Sequence, residues 1–152
     1  MTNPGQFCTW WLGDQFFGVD VTRVQEVIRR PMAMTRVPLA PAAVSGLINL
    51  RGRIVPAIDL RKLLDLPPRP PGASPANVVV RSEDGAVSFL VDAVGDLLGA
   101  DPGAFERPPE TLQGPARDLI LGAYKLEDRL LLILDVDQTI DRTARPKPAA
   151  IS

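Results

Sequence analysis

A chain of 152 residues with 45% apolar and 23% charged residues is long enough for one globular domain and has the composition of an ordinary folded protein. Its formal charge of −1 argues against a general nucleic-acid binder, which needs a basic face, and no apolar run is long enough to cross a bilayer. The absence of histidine removes the commonest general base, the histidine-dependent catalytic triads and most zinc sites, so an enzyme is not expected.

The N-terminal residues 1 to 6 have neither a basic region nor an apolar core, so the sequence predicts no secretion signal and a cytoplasmic protein. The single cysteine, Cys8, has no partner for an internal disulfide and is expected in the core. The glycines are scattered, so no phosphate-binding loop is predicted. We therefore expect no catalytic residue, no metal ligand and no cofactor.

Short strands separated by glycine- and proline-rich turns make up most of the chain. Four hairpins are predicted, in chain order: Phe7 to Leu12 with Phe16 to Asp20, Val44 to Leu50 with Arg53 to Leu60, Val78 to Arg81 with Val87 to Asp92, and Leu119 to Lys125 with Arg129 to Val136. Val21 to Ile28 fits either a helix or a strand after a short helical turn, and Arg61 to Leu66 fits a short helix. The chain from Arg142 onward is expected to fray. This pattern predicts a mostly β fold, a sandwich or small barrels, without long helices.

The second and fourth predicted hairpins repeat each other at a spacing of 76 residues. Four identities fall in register: Gly46 with Gly122, Leu50 with Leu126, Arg53 with Arg129, and Asp59 with Asp135. A weaker echo relates the ends of the first and third hairpins, where Val19-Asp20 corresponds to Val91-Asp92. Duplication predicts two similar small barrels that face each other across a shared apolar seam.

The repeated hairpin also carries a family resemblance. Its first copy, GLINLRGRIVPAIDLR from Gly46 to Arg61, is preceded by FGVDVTRVQEVI and followed by FLVDAVGDLL and DRLLLILDVD. In this order the segments resemble the CheW-like coupling proteins of bacterial chemosensory systems, over roughly Phe7 to Asp141. The NLRG segment with its downstream IDLR is the specific part of the resemblance, and the other segments alone are weak signals.

The resemblance implies two five-stranded, SH3-like β-barrels, related by pseudo-symmetry around a hydrophobic seam, with short helices. Residues 1–145 are expected to form one domain of two intertwined barrel halves, and residues 146–152 a flexible tail. The family implies a non-catalytic adaptor that couples the cytoplasmic tip of chemoreceptors to the regulatory domain of the CheA histidine kinase and self-associates in array rings. The length leaves no room for kinase or receiver modules, so we expect a stand-alone adaptor, recruited to membrane-associated arrays without inserting into the membrane.

Asn49, Arg51 and Gly52 form the polar tip of the second hairpin. We interpret Asn49 as satisfying backbone groups of the turn, and Arg51 as presenting its guanidinium group to a partner, on the surface that the resemblance assigns to receptor and kinase contact. The second copy does not keep the tip, because the equivalent residues are, in the same order, Lys125, Glu127 and Asp128. The tip is therefore the first place to look for a partner.

Three residues near this tip have two interpretations each. Gly46 predicts either a positive φ or close packing between strands, and the resemblance places it beside the binding surface. Val24 is expected in the core or at the binding surface. Glu26 is either a solvated charge or the partner of Arg51, since the resemblance places the VQE segment beside that arginine.

Val27, Val94 and Leu97 are expected to line the seam between the barrels, where an amphipathic receptor helix would dock, or else to belong to a closed internal core. The leading alternative function is a small-ligand-sensing domain that binds in this seam. A hydrolase using two carboxylates is a third class, but no such pair stands at a fixed spacing.

The remaining polar and aromatic candidates are interpreted structurally. Trp10 and Trp11 lie on opposite faces of the first strand, so one is expected to be buried and the other partly exposed, and the sequence does not say which. Asp59, Asp135 and Asp137 are expected to cap turns or to pair with Arg53 and Arg129 rather than to bind a cation.

Overall fold

The computed structural model describes residues 5–144, so the predicted tail 146–152 lies outside the described residues. Within this range no helix is long and apolar enough to cross a membrane. The helices are α1 (Leu60–Leu63), α2 (Ala116–Leu119) and α3 (Val136–Ala144), with single 3-10 turns at Val21–Arg23 and Pro102–Ala104. The strands are β1 (Gln6–Leu12), β2 (Gln15–Asp20), β3 (Val24–Ile28), β4 (Val44–Leu50), β5 (Arg53–Asp59), β6 (Ala76–Ser82), β7 (Gly85–Val91), β8 (Ala93–Val94), β9 (Leu98–Gly99), β10 (Phe105–Glu106), β11 (Ile120–Lys125) and β12 (Leu130–Leu134).

The strands form two sheets with matching connectivity. The first sheet runs β10-β11-β12-β2-β1-β8, with β9 also paired to β1, and the second runs β3-β6-β7-β5-β4. In each sheet two antiparallel hairpins meet through one parallel pair, β12 with β2 and β5 with β7. The chain crosses to the second sheet after Asp20 and returns after Val91, so β3 and β8 lie at an edge of the sheet opposite to that of β2 and β7, which they follow. These crossings are the two Val-Asp segments of the weaker repeat.

All four predicted hairpins are present, and the ambiguous Val21 to Ile28 is a helical turn followed by a strand. The mostly β, two-part architecture is confirmed, with two differences from the predicted pair of five-stranded barrels. The first sheet has seven strands, because its edge is interrupted between β8 and β9 and because β10 pairs with β11. Each sheet is an open, curled ladder rather than a closed barrel.

Three apolar clusters fill the molecule, as expected when both faces of a strongly curled sheet are buried. The seam between the sheets holds the largest cluster, whose fully buried members include Trp10, Phe17, Val19, Val78 and Phe89. The inner side of the second sheet encloses Ile28, Ile48, Leu50, Val55, Ala57, Val79 and Leu90. The inner side of the first sheet encloses Phe7, Phe16, Tyr124, Leu131 and Ile133. Residues alternate between the seam and an inner cluster along a strand, as Val78, Val79 and Val80 of β6 do.

The duplicated hairpins share their register down to an irregularity. A β-bulge separates the pairs Val44–Ile58 and Gly46–Ala57, and another separates the equivalent pairs Ile120–Leu134 and Gly122–Ile133. A Cβ atom on Gly46 would lie 2.7 Å from the backbone oxygen of Thr35, whereas neither glycine has a positive φ. The same atom on Gly122 would lie closer still to both the Phe105 ring and the Glu106 carbonyl oxygen. Of the two predictions for Gly46, close strand packing is therefore confirmed.

The aspartates at the ends of the repeated hairpins cap helices, as predicted. The Asp59 carboxylate accepts a hydrogen bond from the Arg61 N–H at 3.1 Å at the start of α1, and the Asp135 carboxylate accepts one from the Gln138 N–H at 3.1 Å in α3. No group of three or more carboxylate or thiol side chains in residues 5–144 is arranged to hold a metal ion.

Helix α3 was not predicted, since the sequence analysis assigned Arg129 to Val136 to a strand and expected fraying from Arg142. Its buried face consists of Val136, Thr139 and Thr143, which are β-branched and favour strands by propensity. Their 3.6-residue spacing behind the Asp135 cap was the available signal. Burial of this face against the seam overrides the propensity.

Where the chain returns to the first sheet after β7, one aspartate holds it in place through hydrogen bonds and an ion pair. Directly after β7, the Asp92 carboxylate accepts hydrogen bonds from the Gly13 N–H at 2.6 Å and from Arg69 Nε at 2.9 Å, and it forms an ion pair with Arg61. Burial opposes ionisation of Asp92, but the hydrogen bonds from Arg61, Gly13 and Arg69 outweigh it and lower the pKa from 3.8 to about 2. Asp92 therefore joins the turn after β1, helix α1 and the proline-rich stretch from Pro67 to Pro75 at one point.

Candidate functional site

The tip of the β4–β5 hairpin is a two-residue turn in which both central residues are left-handed. Leu50 pairs with Arg53, and the φ angles of Arg51 and Gly52 are 53° and 85°. Positive φ at both positions is the type I′ geometry, whose twist matches that of the flanking strands. The Asn49 side-chain oxygen accepts a hydrogen bond from the Gly52 N–H at 2.8 Å, as the structural interpretation of Asn49 predicts.

Arg51 points outward and is held by Glu26. The guanidinium group makes two contacts with the carboxylate, one of them between Nη2 and Oε1 at 3.0 Å, so the pair is bidentate. The Arg51 side chain is 74% exposed and that of Glu26 is 21% exposed. The hydrogen bond to Glu26 raises the pKa of Arg51 above its ordinary value. The predicted pair is present, and it leaves much of the guanidinium surface open to a partner.

The Glu26–Arg51 pair also has an architectural position. Glu26 lies on β3 and Arg51 follows β4, and these are the two edge strands of the second sheet. The ion pair therefore links the open edges of the curled sheet at the level of the turn. It fixes the direction of the Arg51 side chain with respect to β3.

The apolar candidates divide into two groups. Val24, Val27 and Val94 are partly buried and pack against the seam cluster, which agrees with the core alternative for each residue, and their part in partner binding stays a prediction. Leu97 is 62% exposed and lies apart from that cluster, so the prediction that it lines the seam is wrong. It falls in the interruption between β8 and β9, where the chain leaves the sheet. Gly46 is buried beneath the Thr35 backbone and shapes the hairpin rather than presenting a surface.

The equivalent tip in the second copy is closed by its own side chains. Arg129 forms a bidentate pair with Asp128, and its guanidinium carbon lies 4.9 Å from the Trp11 ring centroid and 5.5 Å from that of Phe16. Trp11 is thus the partly exposed tryptophan, covered by Arg129, while Trp10 is fully buried. The two copies have the same frame but different chemistry at the tip.

The seam does not provide the ligand pocket of the alternative function. Trp10, Phe17 and Phe89 fill its centre, and each is at most 1% exposed. Trp10 and Phe17 stack with ring centroids 6.5 Å apart, and Trp10 and Phe89 are 6.4 Å apart. Tight aromatic packing of this kind leaves the seam as a core.

Sequence analysis missed a groove beside the tip. It has a volume of about 830 Å³ and is lined by Arg53, Ile54 and Pro56 of β5, by Arg81 and Val87 of the neighbouring hairpin, and by Ile140 of α3. The available signal was charge: between Val27 and Ile58 the chain has five arginines and no aspartate, glutamate or lysine. The overall charge of −1 conceals this local excess.

Comparison with known proteins agrees with this architecture. The family model of the CheW-like domain matches residues 6–144. The probable chemotaxis protein CheW of Rhizobium etli is 32% identical over 132 residues, which cover 87% of this chain and 84% of that protein. The chemotaxis protein CheW of Rhizobium meliloti is 30% identical over 146 residues, which cover 95% of this chain and 94% of that protein.

The scaffolding protein TtCheW of Thermoanaerobacter tengcongensis has a similar crystal structure. The TM-score is 0.77 at 27% sequence identity, and the match covers 88% of this chain and 90% of that one. The family model spans nearly the whole chain, and several relatives share about 30% identity over most of their own length. The chain therefore belongs to the CheW-like family of non-catalytic chemotaxis scaffold proteins, as its NLRG hairpin indicates.

Proposed function

We propose that this chain couples the cytoplasmic tip of methyl-accepting chemoreceptors to the regulatory domain of the CheA histidine kinase, in arrays at the membrane. The observation that carries the proposal is the presentation of Arg51: a left-handed residue on a rigid hairpin, 74% exposed and oriented by Glu26. A planar guanidinium group held in this way binds a carboxylate or covers an apolar surface with little loss of side-chain entropy.

The burial of each candidate residue indicates whether it has a structural role or contacts a partner. Asn49 and Gly52 build the turn, Gly46 allows close packing of the hairpin, and Arg51 makes the contact. Val24, Val27 and Val94 support the surface from the seam. Leu97, which is exposed, is a separate apolar contact point. Each contact is small, so stable coupling requires several simultaneous contacts within an array.

The test is reconstitution with a receptor signalling fragment and the kinase. Arg51→Glu reverses the charge of an exposed side chain, so it should abolish co-sedimentation and kinase control while leaving the thermal unfolding temperature close to that of the wild type. Lys62→Glu, a charge reversal of the exposed Lys62 on α1, is the matched control and should co-sediment normally. Failure of the wild-type chain to co-sediment or to alter kinase activity would refute the proposal.

The role of Glu26 is tested separately by a double-mutant cycle. If Glu26 orients Arg51, Glu26→Gln should weaken partner binding in the wild-type background and have little further effect in Arg51→Ala. Equal effects in both backgrounds would show that Glu26 acts independently of Arg51.

A further inference from the structure

A groove beside the Arg51 tip has features of an interaction surface that the tip itself does not explain. Its apolar side is Ile54, Pro56, Val87 and Ile140, and its volume is about 830 Å³. Ile54 is 62% exposed, although it is a strand residue of β5 that pairs with Asn49 next to the turn. A large apolar side chain on a β-strand is usually buried by packing against other side chains.

The same position is covered better in the other copy of the repeat. The equivalent of Ile54 is Leu130, which is 38% exposed. The equivalent of Arg53 is Arg129, which pairs with Asp128 and stacks on Trp11. The second tip therefore satisfies its own arginine within the fold.

Arg53 has no such partner. Among residues 5–144 its guanidinium group makes no hydrogen bond, ion pair or ring contact. Arg81, on the same groove, donates to the carbonyl oxygens of Thr22 and Val24 at 3.1 and 3.3 Å and keeps its positive charge. The acidic residue on the lining is Asp84. The groove is therefore basic as well as apolar.

The lining carries an excess of positive charge. Arg51, Arg53 and Arg81 lie on it together with Asp84, and Glu26 pairs with Arg51. A field of one sign attracts partners of the opposite sign and raises the rate of encounter. Residues 145–152 contain Arg145 and Lys147 and no acidic side chain, so their side-chain charge does not complement the groove.

We infer that this groove is a docking site for an acidic amphipathic segment of a protein partner, with an apolar side chain placed over Ile54 and Pro56 and a carboxylate paired with Arg53. Arginine pairs bidentately with carboxylates, and an apolar strip with a charged rim is the arrangement in which amphipathic segments are bound. Ile54 and the Arg51 side chain are largely exposed, so the site is an open groove rather than an enclosed small-molecule pocket. This inference rests on the proposed function, because Arg51 lies on the lining of the groove, and it adds Arg53, Ile54 and Pro56 to the contact together with the chemistry of the occupant.

The experiment is a methyl-resolved NMR titration with a synthetic 12-residue amphipathic peptide that has leucine on one face and glutamate on the other. We expect the Ile54, Val87 and Ile140 methyl signals to shift. The same peptide with lysine in place of glutamate should leave them unchanged. Arg53→Glu should weaken binding about tenfold or more, and Ile54→Ser about fivefold or more, as expected for the centre of a contact. Both side chains are exposed, so the variants should keep the wild-type fold, which the dispersion of the spectrum reports.

Leu130→Ser, the equivalent change in the second copy, is the matched control and should bind the glutamate peptide like the wild type. Equal binding of the lysine peptide, or shifts confined to other surfaces, would overturn the inference. So would an unchanged affinity in Arg53→Glu. Binding of phosphatidylglycerol vesicles at these methyl groups without binding of the peptide would assign the groove to a membrane surface and would equally overturn it. The titration contains neither receptor nor kinase, so its failure is distinct from failure of the coupling function.

Discussion

Replacement of Asp92 by asparagine should destabilise the fold in a pH-dependent way. Asp92 lies where the chain returns to the first sheet, and its side chain is 20% exposed. The variant keeps the size of the side chain but removes the charge that Arg61 and Arg69 share, and these arginine side chains are only 11% and 13% exposed. Most of the loss of stability arises because two largely buried guanidinium groups are left without this carboxylate.

The magnitude follows from the pKa of Asp92. A shift from 3.8 to about 2 corresponds to roughly 2 kcal/mol at neutral pH, and solvent screening of a side chain that is one-fifth exposed reduces this to about 1–2 kcal/mol. The two unpaired arginines add to the loss, so we expect Asp92→Asn to lower the free energy of unfolding by about 2–4 kcal/mol at pH 7. In this variant Arg69 still lies 3.5 Å from the Asp59 carboxylate, so the loss of stability is smaller than if both arginines lost every carboxylate partner.

The sign of the pH dependence is fixed by the direction of the shift. Because the pKa of Asp92 is lower in the folded state than in the unfolded chain, its contribution is complete above about pH 4 and disappears as the pH falls toward about 2. Urea unfolding from pH 7 to pH 2.5 should show the difference between wild type and Asp92→Asn shrinking in this window. Asp84→Asn, on the exposed turn between β6 and β7, is the control and should unfold like the wild type. A wild-type urea midpoint for Asp92→Asn at pH 7, or a difference that stays constant down to pH 2.5, would refute the reasoning.

Two further outcomes are expected from the packing. Gly46→Ala and Gly122→Ala should each lower the free energy of unfolding by about 1–3 kcal/mol. The effect should be larger at Gly122, because its added Cβ atom would meet both a ring and a carbonyl group. Unchanged unfolding temperatures in calorimetry would contradict the close strand packing. Trp11→Phe should remove most of the acrylamide-quenchable tryptophan fluorescence, because Trp10 is fully buried; strong quenching that persists in Trp11→Phe would place Trp10 in contact with solvent.

The sequence predicted the hairpin that carries the candidate site better than the residues that lie around it. The hairpin with Asn49, Arg51 and Gly52 was predictable because turn chemistry and strand alternation are local. The partnership of Arg51 with Glu26 came from the family resemblance, since no spacing rule relates positions on two edge strands of one sheet. Leu97 was misplaced because its apolar character could not show that the chain leaves the sheet at that point.

The groove at Ile54 and the Asp92 cluster required the tertiary structure. Both bring together segments that are distant along the chain, as Arg53 with Ile140 and Gly13 with Asp92 show. The exposure of Ile54 depends on what α3 leaves uncovered, and α3 itself forms against propensity because its β-branched face is buried on the seam.

By itself the sequence determined the hairpins, the duplication at 76 residues and the family, because these depend on residue types at fixed spacings. Only the tertiary structure decided how the two copies are used. It places β3 and β8 at the edges of the two sheets, closes one tip with Arg129 on Trp11, and leaves Arg51 and Arg53 of the other tip facing solvent. The physical reason is that exposure and charge pairing are properties of the surface that distant segments form together, whereas strand and turn formation are properties of neighbouring residues.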